Sequence, residues 1–224
     1  MTTTTSSSPS TVAILGAGRV SRALALPLAA AGYQVLVGSR NPKADADKWR
    51  DGTAAEGVRH VTLQQAAEAA PLVINATPGA TAVAALSPLR DALAGKTLVD
   101  VANATERLPN GMPGGLVYPG SSLAEQLQQA LPQTRVVKSL NTMLFSVMAN
   151  PRSLASPPTA FVSGDDAQAK AQVTAVLAAL GWPGEWVLDI GGLASARATE
   201  AMMLIVPQLI QRFGFAPFAL SVAR

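Results

Sequence analysis

A pair of glycines near the start of the chain has the spacing of a phosphate-binding turn. The apolar run 12–15 leads directly into Gly16, Ala17 and Gly18, and a helix-forming segment follows. Gly16 permits a tight turn, and Gly18 lets the backbone approach a pyrophosphate at the N-terminus of the helix. Ser21 stands where a third glycine is common, and serine is small enough for the helix–strand contact there. The segment predicts a dinucleotide site.

The second apolar run, 35–37, ends in a serine and an arginine. Units that bind NAD usually place a carboxylate on the ribose 2′-hydroxyl, about 20 residues past the glycines. Ser39 and Arg40 occupy that place, and Lys43 follows in the next turn. A hydroxyl and a guanidinium suit a 2′-phosphate, so we predict NADP(H) rather than NAD(H). The alternatives are a solvated surface arginine and a glycine turn without a ligand, and the combined spacing disfavours both.

The ends of the other predicted strands complete the candidate site, because ligands bind beyond the carboxyl ends of the strands in an open α/β sheet. These ends carry hydroxyl, amide or small side chains, and none is a strong general acid or base. Asp100 and Asp189 are single carboxylates and are expected to be caps or loop anchors. We therefore predict no catalytic side chain, and hydride transfer in which the cofactors carry the chemistry. The predicted binding residues are Gly16, Ala17, Gly18, Arg19, Val20, Ser21, Ser39, Arg40, Lys43, Ala76, Thr77, Pro78, Asn103, Asn141 and Thr142.

Strand-like and helix-like segments alternate along the chain, as they do in βαβ units. The run 72–75 is an unbroken apolar segment, as a parallel strand covered on both faces requires. The alternation predicts an α/β fold with a doubly wound, parallel Rossmann sheet and a small C-terminal α/β extension. We assign 11–142 to the NADP-binding domain. Residues 143–224 form a smaller part that is expected to complete the sheet, the cleft and a dimer interface.

Two further segments bear on the substrate and on assembly. Residues 104–120 contain three prolines and four glycines, which predicts a loop, and loops of this length are usually functional or disordered. A helix predicted over about 195–213 is apolar on nearly every face, which indicates burial. Either this helix packs on another subunit, which predicts a homodimer, or it is buried within the monomer.

Composition excludes several classes of site. The chain has no cysteine and one histidine, which excludes disulfides, iron–sulfur clusters and a cysteine nucleophile, and we predict no metal site. His60 falls in a predicted strand and is expected to be structural or exposed. The 17 basic and 14 acidic residues are scattered, without the basic face of a nucleic-acid binder. No apolar stretch is long enough to span a membrane, and residues 1–10 lack the features of a secretory signal and are predicted to be a flexible tail. We expect a cytoplasmic protein whose partner is a small-molecule substrate.

Several short segments, spread in order from residue 12 to about 215, form a recognisable set. They are Gly16-Ala17-Gly18 with Ala23-Leu24-Ala25, Val37-Gly38-Ser39-Arg40, residues 136–142, residues 164–167, and residues 189–193 with Ala196-Arg197 behind them. With this set the sequence resembles the family of NADPH-dependent coenzyme F420 reductases. The resemblance implies a Rossmann domain with a small C-terminal part that forms the deazaflavin cleft, usually in a dimer.

The resemblance also implies roles for particular residues. Ser39 and Arg40 would hold the 2′-phosphate, and residues 16–21 the pyrophosphate. Thr77-Pro78 and Asn141-Thr142 would flank the nicotinamide and the second ring. Three features depart from the family: Ser21 stands where glycine is common, Gly192 stands where proline is typical, and residues 104–120 have no clear counterpart. We expect that loop to contact the second substrate.

Three readings of the activity follow. The expected activity is hydride transfer between NADP(H) and coenzyme F420 as co-substrate. The same scaffold could instead reduce another small acceptor, such as a carbonyl, an imine, a flavin or a ferric chelate. A non-catalytic dinucleotide-binding sensor is also compatible with the sequence, because the predicted site requires no catalytic side chain.

Overall fold

The computed structural model describes residues 10–49 and 56–223. The predicted flexible tail, residues 1–10, lies outside these ranges apart from its last residue. The described strands are β1 (Thr11–Leu15), β2 (Gln34–Ser39), β3 (Val58–Thr62), β4 (Leu72–Asn75), β5 (Thr97–Asp100), β6 (Thr105–Arg107), β7 (Pro113–Leu116), β8 (Arg135–Ser139), β9 (Ala160–Gly164) and β10 (Val187–Asp189). The described α-helices are α1 (Arg19–Ala30), α2 (Pro42–Trp49), α3 (Leu63–Ala69), α4 (Gly79–Leu86), α5 (Arg90–Leu93), α6 (Leu123–Ala130), α7 (Phe145–Met148), α8 (Ala167–Ala179), α9 (Ala196–Ala201) and α10 (Val206–Phe213).

Eight of the strands form one sheet in the order β3-β2-β1-β4-β5-β8-β9-β10. The six strands from β3 to β8 run parallel, and the chain reverses its direction of winding between β1 and β4. The predicted α/β fold with a doubly wound Rossmann sheet is therefore confirmed. The place between β1 and β4 is the switch point, where such sheets bind their ligands.

Strand β9 departs from the parallel arrangement, because it pairs with β8 in the antiparallel direction. Parallel neighbours need a long crossover, usually a helix, whereas the connection from β8 to β9 contains only α7 and one 3-10 turn. The pairing is also offset: Gly164, the last residue of β9, lies opposite Val137 in the middle of β8. Strand β9 therefore extends past the carboxyl end of β8, and β10 pairs with this extended part.

Helices cover both faces of the sheet and create two apolar clusters. One cluster joins Val12 and Ile14 to side chains of α1, α7 and α8. The other joins Ala13 and Leu15 to side chains of α3, α4 and α6. Successive residues of β1 enter opposite clusters because side chains alternate along a strand. This burial on both faces explains why the sequence of the strand is apolar throughout.

The prediction of a structureless loop over residues 104–120 was wrong, because β6 and β7 form an antiparallel hairpin there. Its turn contains Asn110-Gly111, and Gly111 has a φ of +79°, a conformation that glycine adopts without strain. The amide of Leu108 donates to Met112 O at 2.9 Å across the turn. An Asn-Gly pair is a strong hairpin signal, and the abundance of glycine and proline obscured it.

The helix predicted over about 195–213 is present, but it is not one regular α-helix. The segment consists of α9, a 3-10 turn at Met202–Ile205, and α10, with Pro207 in the first turn of α10. Ala196 and Val206 are buried within the monomer, whereas Leu204, Ile205 and Phe213 are exposed by 47%, 47% and 66%. Burial within the monomer therefore accounts for only part of the apolar sequence, and packing on a second subunit stays a prediction.

The C-terminal residues return to the carboxyl end of β8. The amide of Leu144 donates to Phe218 O at 2.9 Å, and that of Leu220 donates to Thr142 O at 3.1 Å. The Thr159 amide, just before β9, also donates to Leu220 O. Residues 218–222 thus join the extended part of β9 beside the predicted site.

Candidate functional site

The glycine turn after β1 lies tightly between the ends of the two neighbouring strands. The amide of Gly16 donates to Gly38 O at 2.8 Å, and a Cβ on Gly16 would lie 2.6 Å from Ala76 O. Gly16 also has a φ of +113°, so both the backbone conformation and the space require glycine. Gly18 differs, because no atom lies within 4 Å of the position its Cβ would take. The N-terminus of α1 therefore opens onto free space at Gly18.

The first turn of α1 follows the sequence prediction closely. Ser21 is fully buried, so the small side chain at the third motif position lies inside the close helix–sheet contact. Ala17 and Val20 pack partly against the apolar cluster of the same face. Arg19 is exposed, and its guanidinium lies 5.3 Å from the centroid of the Phe145 ring, a cation–π contact. Arg19 therefore reaches from the glycine turn toward the segment that follows β8.

Sequence reasoning missed a tryptophan that supports this turn. Trp49, the last residue of α2, donates from its indole Nε1 to Ala17 O at 3.3 Å. Its ring meets the ring of His60 edge-on, with the centroids 4.7 Å apart, and burial lowers the pKa of His60. Nothing in the local sequence connects Trp49 with a turn 32 residues earlier. The expectation that His60 is structural agrees with this packing.

At the end of β2, the structure places the residues predicted to hold a 2′-phosphate. Ser39 is 7% exposed, and its hydroxyl has no hydrogen-bond partner of normal geometry. Arg40 and Lys43 are exposed, with Lys43 in the first turn of α2. The Ser39 hydroxyl is close enough to the Asp45 carboxyl to lower the pKa of that carboxyl by hydrogen bonding, and Lys48 lowers it further. The Ser39 hydroxyl and the two exposed cations suit a phosphate at this place.

The end of β4 is fixed by a chain of hydrogen bonds to β5. Asn75 donates from Nδ2 to Asp100 Oδ1 at 2.8 Å. Its Oδ1 accepts from the Thr77 hydroxyl at 2.7 Å and from the Thr77 amide at 3.1 Å. Thr77 is 9% exposed, whereas Pro78 is exposed at the start of α4. These bonds hold Thr77 beside the glycine turn.

The charged group behind this chain is a buried lysine that sequence reasoning missed. Lys138 in β8 is 1% exposed, and its Nζ lies 2.7 Å from Asp100 Oδ2 and 2.7 Å from Glu200 Oε1. It also donates to Ala102 O. A signal was present, because Lys138 and Asp100 each interrupt an apolar strand, and charged residues are almost never buried unless paired. In the sheet, the two residues lie side by side.

Glu200 brings α9 into the same network. Its carboxylate accepts from the amides of Leu123 and Ala124 at 2.9 and 3.3 Å, so it also caps the N-terminus of α6. A second contact joins the same helices, in which Arg197 Nε lies 2.9 Å from a Glu125 oxygen. Arg197 lowers the pKa of the Glu125 carboxyl. The C-terminal part is therefore attached to the Rossmann sheet through ionic contacts.

The ends of β5 and β8 are joined by two asparagines, both of which were predicted as binding residues. Asn103 donates from Nδ2 to Asn141 O at 2.8 Å, and Asn141 donates from Nδ2 to Asn103 Oδ1 at 2.9 Å. Gly79 packs against this pair so closely that a Cβ there would lie 2.1 Å from Asn103 O. Thr142 is 2% exposed, and its hydroxyl has no hydrogen-bond partner. The carboxyl ends of β2, β1, β4, β5 and β8 therefore form one continuous edge of the sheet, which runs from Ser39 to Thr142.

The two carboxylates that were expected to be caps or anchors differ. Asp189 accepts from the Gly191 amide at 2.9 Å and forms an ion pair with Lys170, which lowers the pKa of Asp189, so it is a loop anchor. Asp100 is instead the centre of the network beneath the site. The departure at Gly192 also has a structural reason, because a Cβ there would lie 2.8 Å from Asp165 Oδ1.

The edge has the features that an NADP(H) molecule requires. The open space at Gly18 gives room for a pyrophosphate at the N-terminus of α1. The buried hydroxyls of Ser39 and Thr142 lie at the two ends of the edge, and the hydroxyl of Thr142 has no hydrogen-bond partner. Within residues 10–49 and 56–223, no group of three or more histidine, cysteine, aspartate or glutamate side chains is placed to hold a metal ion. No helix in the described part of the chain is long and apolar enough to cross a membrane.

Comparison with known proteins finds relatives among the NADP oxidoreductases. Residues 11–104 match the family model described as NADP oxidoreductase, coenzyme F420-dependent. The structure resembles the crystal structure of a candidate F420-dependent NADP reductase from Arthrobacter sp. FB24, with 38% identity, 95% of this chain and 99% of that chain covered, and a TM-score of 0.86. An imine reductase from Streptomyces aurantiacus shares the fold at 19% identity and a TM-score of 0.60, over 90% of this chain and 62% of that chain.

A longer protein contains a region that is similar in sequence to this chain. The sequence is 36% identical to the metalloreductase STEAP3 of Rattus norvegicus over 194 residues, which cover 86% of this chain. The chain spans 36% of the length of that relative. The similarity therefore concerns one part of a longer protein.

Two glycine substitutions should separate ligand binding from folding. We expect Gly18→Val to fold normally, because the new side chain enters open space and the extended backbone of Gly18 suits valine. It should abolish NADPH binding by filling the space for the pyrophosphate, as measured by calorimetric titration. Gly79→Ala should instead lower the free energy of unfolding by about 1–3 kcal/mol, because its Cβ would clash with backbone. Full NADPH affinity in a folded Gly18→Val variant would place the ligand elsewhere.

Proposed function

Since this chain belongs to the coenzyme F420-dependent family of NADP oxidoreductases, we propose that it transfers a hydride directly and reversibly between NADP(H) and a deazaflavin of the coenzyme F420 type. NADP-dependent oxidoreduction is the general activity of the family, and the deazaflavin as acceptor is the specific part of the proposal. The resemblance to the Arthrobacter protein over nearly the whole of both chains supports that choice of acceptor.

The observation that carries the proposal is the chemistry of the edge from Ser39 to Thr142. At the ends of β4, β5 and β8 the predicted binding residues offer amides, hydroxyls and apolar groups, whereas the cations Arg19, Arg40 and Lys43 lie toward α1 and the end of β2. The charged groups of the network beneath it, Asp100, Lys138 and Glu200, are at most 3% exposed and are bonded to one another. Reduction of a carbonyl needs a placed acid to protonate the developing alkoxide. Hydride transfer to a deazaflavin ring carbon does not, because the charge spreads over the ring system.

The side chains of this protein then act by positioning. The nicotinamide supplies the hydride when NADP(H) is bound. Ser39 and Arg40 bind the adenosine end, and Gly18 and the N-terminus of α1 bind the pyrophosphate. Thr77 and Asn141 keep the two rings in place at the other end. Positioning of reactants alone supplies several kcal/mol of a barrier of this kind.

A second candidate acceptor is a ferric chelate, and the similarity to a metalloreductase favours it. This chain spans 36% of the length of that relative, so the similarity concerns only one region of it. Carbonyls, imines and flavins remain alternatives from the sequence, as does a sensor that binds NADP(H) without turnover. The same assay separates all of these.

The decisive measurement follows a hydrogen isotope. NADPH deuterated at C4 of the nicotinamide, in each of its two stereoisomers, is mixed with the protein and oxidised coenzyme F420, and the reduced deazaflavin is examined by mass spectrometry. We expect label to move from one stereoisomer, because a fixed nicotinamide presents one face. Ferric citrate, flavin, a cyclic imine and a small aldehyde form the comparison panel. NADPH oxidation with a member of the panel and no label in the deazaflavin would refute the deazaflavin as acceptor.

Arg40 should control the choice between NADPH and NADH. A charge-assisted contact to the 2′-phosphate contributes about 1.5–3 kcal/mol, so NADPH should bind at least about ten-fold more tightly than NADH. We expect Arg40→Ala to remove most of that difference while leaving NADH affinity unchanged. Arg59→Ala, at an exposed arginine of β3, is the control. Equal affinities in the wild-type protein, measured by fluorescence titration, would contradict the prediction of NADP(H).

We also retain the homodimer as a proposal, with a second copy of the chain as the partner. Leu204, Ile205 and Phe213 expose large apolar side chains along the 3-10 turn and α10, and monomers rarely leave such surfaces uncovered. Ile205→Glu should give a folded monomer in light scattering at micromolar concentration. Val222→Glu is a matched control, because Val222 is equally exposed but lies outside the segment. A monomeric wild-type protein would contradict the proposal.

A further inference from the structure

We infer that Thr77 can only accept a hydrogen bond from the bound cofactor, and that the Lys138–Asp100–Asn75 chain behind it enforces this polarity. The inference rests on the proposed binding of NADP(H) but not on the identity of the acceptor. Its consequence is that Thr77 selects a donor group on the nicotinamide half of the cofactor, either the carboxamide NH₂ or a ribose hydroxyl.

The hydrogen bonds of Asn75 fix the orientation of its side-chain amide. Its Nδ2 faces Asp100 Oδ1 at 2.8 Å, and its Oδ1 faces the Thr77 amide at 3.1 Å. If the amide were turned over, its oxygen would face a carboxylate oxygen and its NH₂ would face an N–H group. Both contacts would then be repulsive, and both groups are buried. Asn75 therefore presents an acceptor to Thr77.

The Thr77 hydroxyl donates its proton to Asn75. Its oxygen lies 2.7 Å from Asn75 Oδ1, an atom that can only accept, so the hydroxyl must donate its single proton there. Two lone pairs remain on the Thr77 oxygen. A ligand that meets this hydroxyl must therefore supply the hydrogen, and a ligand carbonyl at the same place would be repelled.

Lys138 prevents the chain from reversing. Its ammonium has three protons, and the structure gives each a separate acceptor: Asp100 Oδ2, Glu200 Oε1 and Ala102 O. Asp100 Oδ1 also accepts from the Ala102 amide at 3.2 Å. Because the three ammonium protons and both Asp100 oxygens are engaged in this way, Asp100 remains an acceptor toward Asn75, and the Asn75 amide keeps its orientation.

The place of Thr77 identifies the part of the cofactor that it meets. Thr77 N lies 3.3 Å from the position that a Cβ on Gly16 would take, so Thr77 is directly beside the glycine turn. Ser39 ends β2, on the other side of β1 in the sheet. A dinucleotide that has its 2′-phosphate at Ser39 and its pyrophosphate at Gly18 must continue toward β4, so its nicotinamide half reaches Thr77.

The test compares two nucleotides and three variants by equilibrium titration, with no second substrate present. The nucleotides are NADPH and its 3-acetylpyridine analogue, which keeps the ring carbonyl but has a methyl group in place of the NH₂. Thr77→Val removes the hydroxyl at nearly constant shape, and Thr77→Ser keeps it. Thr81→Val is the control, because the Thr81 hydroxyl donates to Pro78 O within the same helix start. Thermal unfolding of each variant monitors the fold.

We expect Thr77→Val to weaken NADPH binding by about 3- to 10-fold, the effect of one neutral hydrogen bond, and Thr77→Ser and Thr81→Val to change it little. If the carboxamide is the donor, the wild-type protein discriminates against the analogue by a similar factor and Thr77→Val does not. If a ribose hydroxyl is the donor, Thr77→Val weakens both nucleotides equally. Either result shows that the Thr77 hydroxyl contacts the cofactor, and the first shows directly that the hydroxyl accepts from the carboxamide.

Two outcomes would overturn the inference, and they differ from each other. A folded Thr77→Val variant that binds both nucleotides as the wild-type protein does would refute the role of Thr77 and leave the proposed function intact. A wild-type protein that binds neither nucleotide would refute the proposed function and this inference with it.

Discussion

The ionic contact between Lys138 and its two carboxylates holds together parts of the chain that are far apart in sequence. Asp100 belongs to β5, Lys138 to β8 and Glu200 to α9, so one ammonium joins the two strands beyond the switch point to the C-terminal part. A buried charge is costly to desolvate, and removal of one partner from such a group typically costs 3–5 kcal/mol. The second carboxylate is compensated by the N-terminus of α6, whose amides it accepts. The edge proposed to bind the cofactor therefore lies on the network of Lys138, Asp100 and Glu200, in which each charged group has a fixed partner.

The predicted binding residues at the ends of β4, β5 and β8 carry no charge, in contrast to Arg40 and Lys43 beyond the end of β2. The asparagines, threonines and glycines at the strand ends are held by hydrogen bonds to backbone and to one another. Asn103 and Asn141 illustrate this, because each amide group is bonded to the other residue and neither requires an ion. A site of this kind fixes the positions of ligands without taking part in proton transfer. That property suits a reaction in which both reactants bring their own chemistry.

The sequence was sufficient for those parts of the fold that depend on local pattern. Gly16 and Gly18 were identified because a turn and a close approach leave a direct mark on residue type, and the apolar strands predicted the doubly wound sheet. Lys138 and Glu200 could not be paired in advance, because the lysine and the glutamate are 62 residues apart and only the folded sheet brings them together. The same holds for Trp49, which contacts the glycine turn through packing alone. The terminal helix was located correctly, but its apolar pattern could not show which residues the monomer itself buries, such as Val206, and which it leaves exposed, such as Leu204.

The offset of β9 makes the carboxyl-end edge of the sheet uneven. Because β9 and β10 project past the end of β8, the sheet edge is a step, with a low side at β2 and β1 and a raised side at β9. The C-terminal residues 218–222 are bonded to the raised side, and the connection 149–159 leads into it. A molecule bound beyond the end of β8 would therefore meet this raised side as a wall.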